Sequence, residues 1–536
     1  MINMSKKIPI AILFSAAKMP HAFEGAFDGK SAFDRALSWA ENVPDSRQTV
    51  IFTDGQNRAA VEKAAASKKN ISLVQNDAWT NGLIAKEIAA ACKAHGADYA
   101  VYAWADCPFL SSALTAELID THTRYLAEYT FADGYPYGLA PEVVDAGAAG
   151  IIASLGETVQ KAAGEKPCGR DALFSIMSGD INSFEVETVI SPKDYRMLRL
   201  DFSCADKISF LACKNLFSAA GGKINLSSAA FDAVFLSDLA EGDVSVLRTV
   251  PAFYNVQIAG RYQHALVYSP YHLLFKNHPL SDMPLSAFKK IVSQIAGFSE
   301  KAVVSLSAFG EPLLHPDFVA CVKEVLSHPD LTVLIETDGT LVTQELAAEL
   351  ASYGAGRIIW VVLLDAMESK LYSQIHQCAE QDFSMAVNAV SVLESFFPHN
   401  VYPQMTRMKA NEAQLEPFYR YWKDTNNASA GDLIVQKYNR FCASLPDEKS
   451  ADLSPLVRNP CWHLRRDMTI LSDGTVPLCV CACGALHPSV IVGNVLSERE
   501  TVESVWGKMA ERLSAHLKED YPEQCRACDE YYTFNF

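Results

Sequence analysis

Twice along the chain, short apolar runs alternate with stretches of helical length. That alternation restricts each half to a largely parallel β-sheet covered by helices. In the first half the strand candidates are Ile8–Ser15, Thr49–Thr53, Ile71–Val74 and Tyr99–Ala105, separated by helix candidates such as Ser31–Asn42 and Thr115–Tyr129. Ligands of such sheets sit at the carboxyl ends of the strands. A second series runs through Tyr254–Ile258, Val303–Leu306, Thr332–Glu336, Ile358–Leu364, Met385–Val390 and Leu433–Val435. Those six strand candidates suit an incomplete barrel as well as an open sheet. A chain of 536 residues exceeds one ordinary core, and the pattern divides it into a domain over 1–222, a connector over 223–250, a second domain over 251–459 and a small lobe over 460–536.

The lobe is short for a core of its own and carries Cys461, Cys479, Cys481, Cys483, Cys525 and Cys528. A Cys-x-x-Cys pair lets two sulfurs reach one centre from a single turn. Cys461 and Cys479 flank Ser472-Asp473-Gly474, a tight-turn sequence expected to fold them together as a hairpin. Cys461, Cys479, Cys525 and Cys528 are therefore the expected metal ligands, with Cys481 and Cys483 as further candidates. Thiolates suit an iron-sulfur cluster, and zinc is the structural alternative. The remaining cysteines, at 92, 107, 168, 204, 213, 321, 378 and 442, read as small packed hydrophobes.

A net charge of −17 argues against nucleic acid as a partner. No stretch approaches the roughly 18 apolar residues of a membrane span. Lys6 and Lys7 ahead of Ile8–Ala17 have the outline of a short signal peptide, but Pro9 interrupts the run and a strand-turn-helix pattern follows at once. A cytoplasmic location is expected, where clustered thiols are metal ligands rather than disulfides.

Cys461, Gly474, Cys479, Gly493-Asn494, Trp506 and Cys525-x-x-Cys528 resemble the SPASM/twitch extension of radical S-adenosylmethionine (radical SAM) enzymes. The resemblance implies one auxiliary [4Fe-4S] cluster. In the middle domain Gly310-Glu311-Pro312 resembles the element that receives the methionine amino group, and Glu336-Thr337-Asp338-Gly339 the turn after the third strand. Leu364-Asp365-Ala366 resembles the segment after the fourth strand. A partial (β/α)6 barrel is implied, with Gly310, Glu311, Pro312 and Asp365 toward S-adenosylmethionine. In that family three cysteines after the first strand hold the catalytic cluster. Here Tyr262, Leu266 and Ser269 stand at those positions, and no cysteine occurs between Cys213 and Cys321. Leucine offers iron nothing, and Tyr or Ser oxygen replaces thiolate poorly. Leu363 stands where the family commonly has serine. The barrel thus reads as a pseudoenzyme, and His264 in the loop as a surface or packing residue.

The first domain resembles the doubly wound (GT-A/Rossmann-like) nucleotidyltransferases of the CMP-ketodeoxyoctonate synthetase type. Asp28-Gly29-Lys30 matches their Gly-Lys segment, and Asp106 and Asp201 their Mg²⁺ ligands. Lys18 or Lys30 would face the triphosphate, but the glycine-rich phosphate loop is missing. The three-part arrangement is similar to the spirochaete-type SPASM proteins. It implies binding, scaffolding or electron transfer in a modification pathway, with a small-molecule or peptide substrate and a redox partner. The alternatives are a nucleotidyltransferase and an active radical enzyme with unusual ligands. No Ser-His-Asp or Cys-His set is evident. His376 and Cys378 are neighbours in sequence only, and Arg407 and Lys409 read as a charged edge after the fifth strand.

Overall fold

All seven residues of β1 (Pro9–Ser15) are buried, as expected of a strand with helices on both faces. The computed structural model describes residues 7–16, 19–163, 168–221, 231–270, 281–452, 454–482 and 490–532. Lys18, Gly222, Cys483, Phe534 and Phe536 lie outside them. The chain divides into two units, Met1–Thr249 and Val250–Phe536.

In the first unit β1, β2 (Thr49–Thr53), β3 (Ile71–Gln75), β4 (Tyr99–Trp104), β5 (Tyr129–Asp133), β6 (Glu142–Asp145) and β7 (Val186–Ile190) form one sheet in the order β3-β2-β1-β4-β6-β5-β7. Strand β6 runs antiparallel to β4 and β5. The helix after β1 spans Ala32–Ala40 and starts at a capping box, in which Ser31 Oγ accepts from the Asp34 N–H at 3.0 Å. Tyr129 opens β5 rather than closing the preceding helix, which ends at Arg124. The stretch read as a connector also departs from expectation. Its described residues form the helices Ala233–Glu241 and Val244–Leu247, which bury Leu236, Ala240, Val246 and Leu247 within the first unit. Those apolar faces give it a core to join, which a linker lacks.

In the second unit β8 (Phe253–Val256), β9 (Ala302–Ser305), β10 (Leu331–Thr337), β11 (Ile358–Leu363), β12 (Val401–Arg407) and β13 (Ile434–Lys437) lie side by side in chain order, all parallel. Helices connect them, and the sheet curls into a half-barrel. The fifth strand is β12, not Met385–Val390. That run lies inside the helix Asp382–Phe396, where Ala386, Ala389, Val390 and Leu393 recur at helical spacing on the buried side. Strand β12 contains Pro403, a residue without a backbone N–H to give to a sheet. The proline is accommodated because pairing with β13 begins only at Gln404.

A seventh strand, β14 (Asp467–Ile470), pairs in parallel with β8, Met468 opposite Tyr254. The boundary expected at 459/460 therefore falls within the second unit. The turn at Gly474 forms, with φ +83°, but no two-stranded hairpin results. β14 joins the barrel, while β15 (Thr475–Pro477) pairs antiparallel with β16 (Ile491–Asn494). A Cβ at position 474 would lie 2.6 Å from Leu496 Cγ and 2.7 Å from Asn494 Oδ1. Gly474→Ala is expected to destabilise the second unit by roughly 2 kcal/mol, read as a lower unfolding midpoint in urea.

Candidate metal centre

Cys461 precedes the helix Trp462–Arg466, which runs directly into β14. Cys479 follows β15, Cys525 lies in the short helix Glu523–Arg526, and Cys528 follows it. Backbone and side-chain contacts fold the last segment back onto the first. The Trp462 N–H donates to Tyr531 O at 2.8 Å. The Arg458 guanidinium donates to Cys525 O at 2.7 Å and lies over the rings of Tyr521 and Tyr531.

The four thiols singled out by spacing share one environment. Burial holds the Cys461 thiol well above its ordinary range, and Cys479, Cys528 and Cys525 push the same way. Cys479 is held low by a hydrogen bond from Cys481, and Cys528 by hydrogen bonds from Cys442 and Cys481. Backbone N–H groups of Ala482 and Glu530 donate to Cys479 Sγ and Cys528 Sγ, each at 3.3 Å. Such bonds stabilise thiolate, the form that binds metal. The donor set fits an iron-sulfur cluster on these observations. Tetrahedral zinc, with Zn–S bonds of about 2.3 Å, brings its sulfurs to about 3.8 Å of one another. Among the described residues, no three of these sulfurs lie within 4.8 Å of each other.

Cys442 was expected among the packed hydrophobes and instead belongs to this group. It lies in the loop after β13, where Phe441, Cys442 and Ala443 all have positive φ. No cysteine stands close to it in sequence, so only the fold brings it here. Cys481 also joins the group, its Sγ accepting from Asn439 Nδ2 at 3.2 Å.

At the carboxyl ends of β8–β13 the loop 261–270 is held by apolar packing and hydrogen bonds. Leu266, 4% exposed, packs with Val361, Leu363 and Ile434, flanked by Tyr262, Tyr268 and Tyr402. Tyr268 Oη donates to Asp365 Oδ2 at 2.7 Å, His376 Nε2 lies 3.0 Å from the same oxygen, and the Thr406 N–H donates to Oδ1 at 2.6 Å. Asp365 is fully buried, at φ +56°, with both carboxylate oxygens engaged by the protein. Gly310 permits a close approach, since a Cβ there would lie 2.3 Å from Ala259 O. The Glu311 N–H donates to Arg261 O at 2.8 Å. The Glu311 carboxylate accepts from the N–H groups of Leu313 and Asp338 at 3.1 and 3.2 Å. Pro312 opens the turn Pro312–Leu314. This loop does not fit the catalytic cluster of a radical SAM enzyme, because Tyr262, Leu266 and Ser269 supply no thiolate. Arg407 pairs with Glu412 at 2.6 Å, and Lys409 Nζ donates to Asp447 O at 2.7 Å.

Inside the half-barrel is a cavity of about 290 Å³ whose polar lining includes Asn255, Glu336, Gln404, Lys437, Arg466 and Glu530. Lys437 and Glu530 pair at 3.1 Å. Burial pushes the Glu336 carboxyl up to about 7.

In the first unit Asp106 is fully buried and paired with Arg170, whose nitrogens lie 3.1 and 2.5 Å from its two oxygens. Arg170 lies over the rings of Trp104 and Tyr137 and donates to Tyr137 Oη at 3.1 Å. Asp201 Oδ1 accepts from the Ser203 N–H at 2.9 Å, and both Arg170 and Asp106 act on its carboxyl. The two aspartates expected as Mg²⁺ ligands are thus neighbours, but a guanidinium already neutralises Asp106. Lys30 is exposed, paired through its backbone with Phe27.

Two outcomes follow from these environments. Arg170→Ala leaves a buried carboxylate uncompensated and is expected to cost about 3 kcal/mol, seen as a lower melting temperature of the first unit. Glu336 holds its proton longer in the folded state than in the unfolded chain, where carboxyls titrate near ~4.3. Its contribution to stability is complete below about pH 4 and is lost as pH rises through about 7. Glu336→Gln is expected to remove about 2 kcal/mol of that pH dependence, allowing for partial solvent screening, in urea unfolding between pH 4 and 8.

The SPASM family model, an iron-sulfur cluster-binding domain, matches residues 461–529. An uncharacterized protein of Treponema pallidum (strain Nichols) is 37% identical over 377 residues, which cover 68% of this chain and 98% of that protein. The tungsten-containing aldehyde ferredoxin oxidoreductase cofactor-modifying protein of Pyrococcus furiosus is 35% identical over 85 residues, 15% of this chain and 24% of that protein. Among solved structures, Streptococcus suis SuiB bound to precursor peptide SuiA superposes with a TM-score of 0.42 at 13% identity, over 57% of this chain and 76% of that one. The match over 461–529 gives the chain a SPASM iron-sulfur cluster-binding domain, which continues from a half-barrel of consecutive parallel strands, and the chain belongs to the same family as the Treponema pallidum protein.

Proposed function

We propose that the protein works with a single auxiliary [4Fe-4S] cluster and without radical chemistry, as a binding or electron-transfer component of a modification pathway. The observation that carries this reading is the apolar packing of Leu266 against Val361, Leu363 and Ile434, in the loop where a catalytic cluster would need sulfur. Cys461, Cys479, Cys525 and Cys528 would hold the auxiliary cluster, with Cys442 and Cys481 beside them. When bound, such a cluster supplies one-electron transfer.

The residues around it suit that role. The Ala482 and Glu530 N–H groups direct hydrogen bonds at two of the sulfurs, an arrangement that tunes cluster potentials. The cavity, with its Lys437–Glu530 pair and Glu336, suits a polar small molecule or a side chain of a peptide. A redox partner would deliver or withdraw the electron, and a cytoplasmic location keeps the thiols reduced. No helix among the described residues is long and apolar enough to cross a membrane.

Anaerobic reconstitution with iron and sulfide tests the reading. About four irons per chain are expected, lost in Cys461→Ser and Cys525→Ser and retained in Cys442→Ser. Incubation with dithionite and S-adenosylmethionine is expected to leave the latter intact. About eight irons, or release of 5'-deoxyadenosine, would overturn it.

A further inference from the structure

The loop 261–270 carries no thiol, yet it presents one histidine to a second group of metal-ligating side chains. His264 is 8% exposed. Cys378 and Asp382 face it from the turn between the helices Ser369–His376 and Asp382–Phe396. One ligand atom of each, a ring nitrogen, the sulfur and a carboxylate oxygen, lies within 4.8 Å of the other two. The ring nitrogen Nδ1 lies 3.0 Å from Asp338 Oδ2. Asp338 is itself fixed by Gln263 Nε2 at 2.8 Å and by Thr340 N–H and Oγ1 at 2.9 and 2.7 Å. The other ring nitrogen, Nε2, is directed at Asp382 Oδ2, 3.6 Å away. Asp382 Oδ2 also accepts from the Ala379 N–H at 3.2 Å, which holds the turn bearing Cys378 against the start of its helix.

We propose that His264 Nε2, Cys378 Sγ and Asp382 Oδ2 bind a Zn²⁺ ion, with Asp338 orienting the histidine. One nitrogen, one sulfur and one oxygen ligand form a borderline donor set that suits zinc better than calcium or magnesium. A carboxylate on the distal nitrogen of a metal-bound histidine is the recurrent supporting contact of zinc sites. Zinc would draw these ligand atoms somewhat closer than 4.8 Å. On binding, Cys378 releases its thiol proton to solvent and forms the Zn–S bond. Three protein ligands leave a fourth position for water or a substrate atom. The site shares no residue with the thiol lobe, so its occupancy is independent of the cluster.

The full-length protein, reconstituted anaerobically with iron and sulfide, is dialysed against Zn²⁺ and analysed for both metals. About one zinc per chain is expected beyond the iron. His264→Ala and Cys378→Ser are expected to lose the zinc and keep the iron, and the retained iron reports an intact fold. Asp338→Asn is expected to weaken zinc binding tenfold or more, within the roughly 10–100-fold range for such supporting contacts. Substitution with Co²⁺ adds an independent readout: a thiolate-to-cobalt charge-transfer band present in the wild type and absent in Cys378→Ser. Absence of zinc from the wild type overturns the proposal. So does zinc retained in both ligand variants, since the ion would then sit on the tail cysteines.

Discussion

The parallel pairing of β14 with β8 is the contact on which the second unit depends. It makes the C-terminal lobe an extension of the barrel sheet rather than a separate module. Cys461 is delivered one short helix before β14, and Cys479 soon after the turn that ends it. The last segment then closes on this frame through Arg458, Tyr521 and Tyr531. A lobe with little core of its own obtains its geometry from the strand it adds to. A bound inorganic centre would supply the remaining crosslink, which is how small metal domains offset the entropy of ordering.

Sulfur is concentrated at one place and absent at another. In the lobe, N–H groups and neighbouring thiols favour the thiolates of Cys479 and Cys528, while burial keeps Cys461 protonated. At the barrel mouth the corresponding space is filled by Leu266 and its aliphatic neighbours, with Tyr268 locked to Asp365. Burying a leucine there contributes roughly 2 kcal/mol from its apolar surface. The loop is therefore held by packing and by hydrogen bonds to buried carboxylates, from Tyr268 to Asp365 and from Gln263 to Asp338. Asp365, expected to serve a cofactor, spends both oxygens on the protein.

The strand-helix alternation was legible because a strand buried on both faces must be apolar along its length, and β1, β4 and β11 are. The gathering of the tail cysteines was legible because such short spacings bring thiols to one place. Met385–Val390 misled because a short apolar run fits a strand or a helix until its neighbours are placed. Its true periodicity emerges only when Leu393 joins Ala386, Ala389 and Val390. Cys442 was not legible at all, since its approach to Cys528 depends on a left-handed turn after β13 and has no local signal. His264 looked solitary for the same reason, Cys378 and Asp382 being more than a hundred residues away.

By itself the sequence determined the two sheets of parallel character, the thiol-rich tail, and the loss of cysteine from the loop after the first barrel strand. These are matters of composition and spacing, which short-range chemistry dictates. Only the tertiary structure decided that β14 belongs to the barrel, that Arg170 occupies Asp106, and that Cys442 meets the tail. Each of those joins residues far apart in the chain, and such contacts are selected by packing and charge pairing in the folded state.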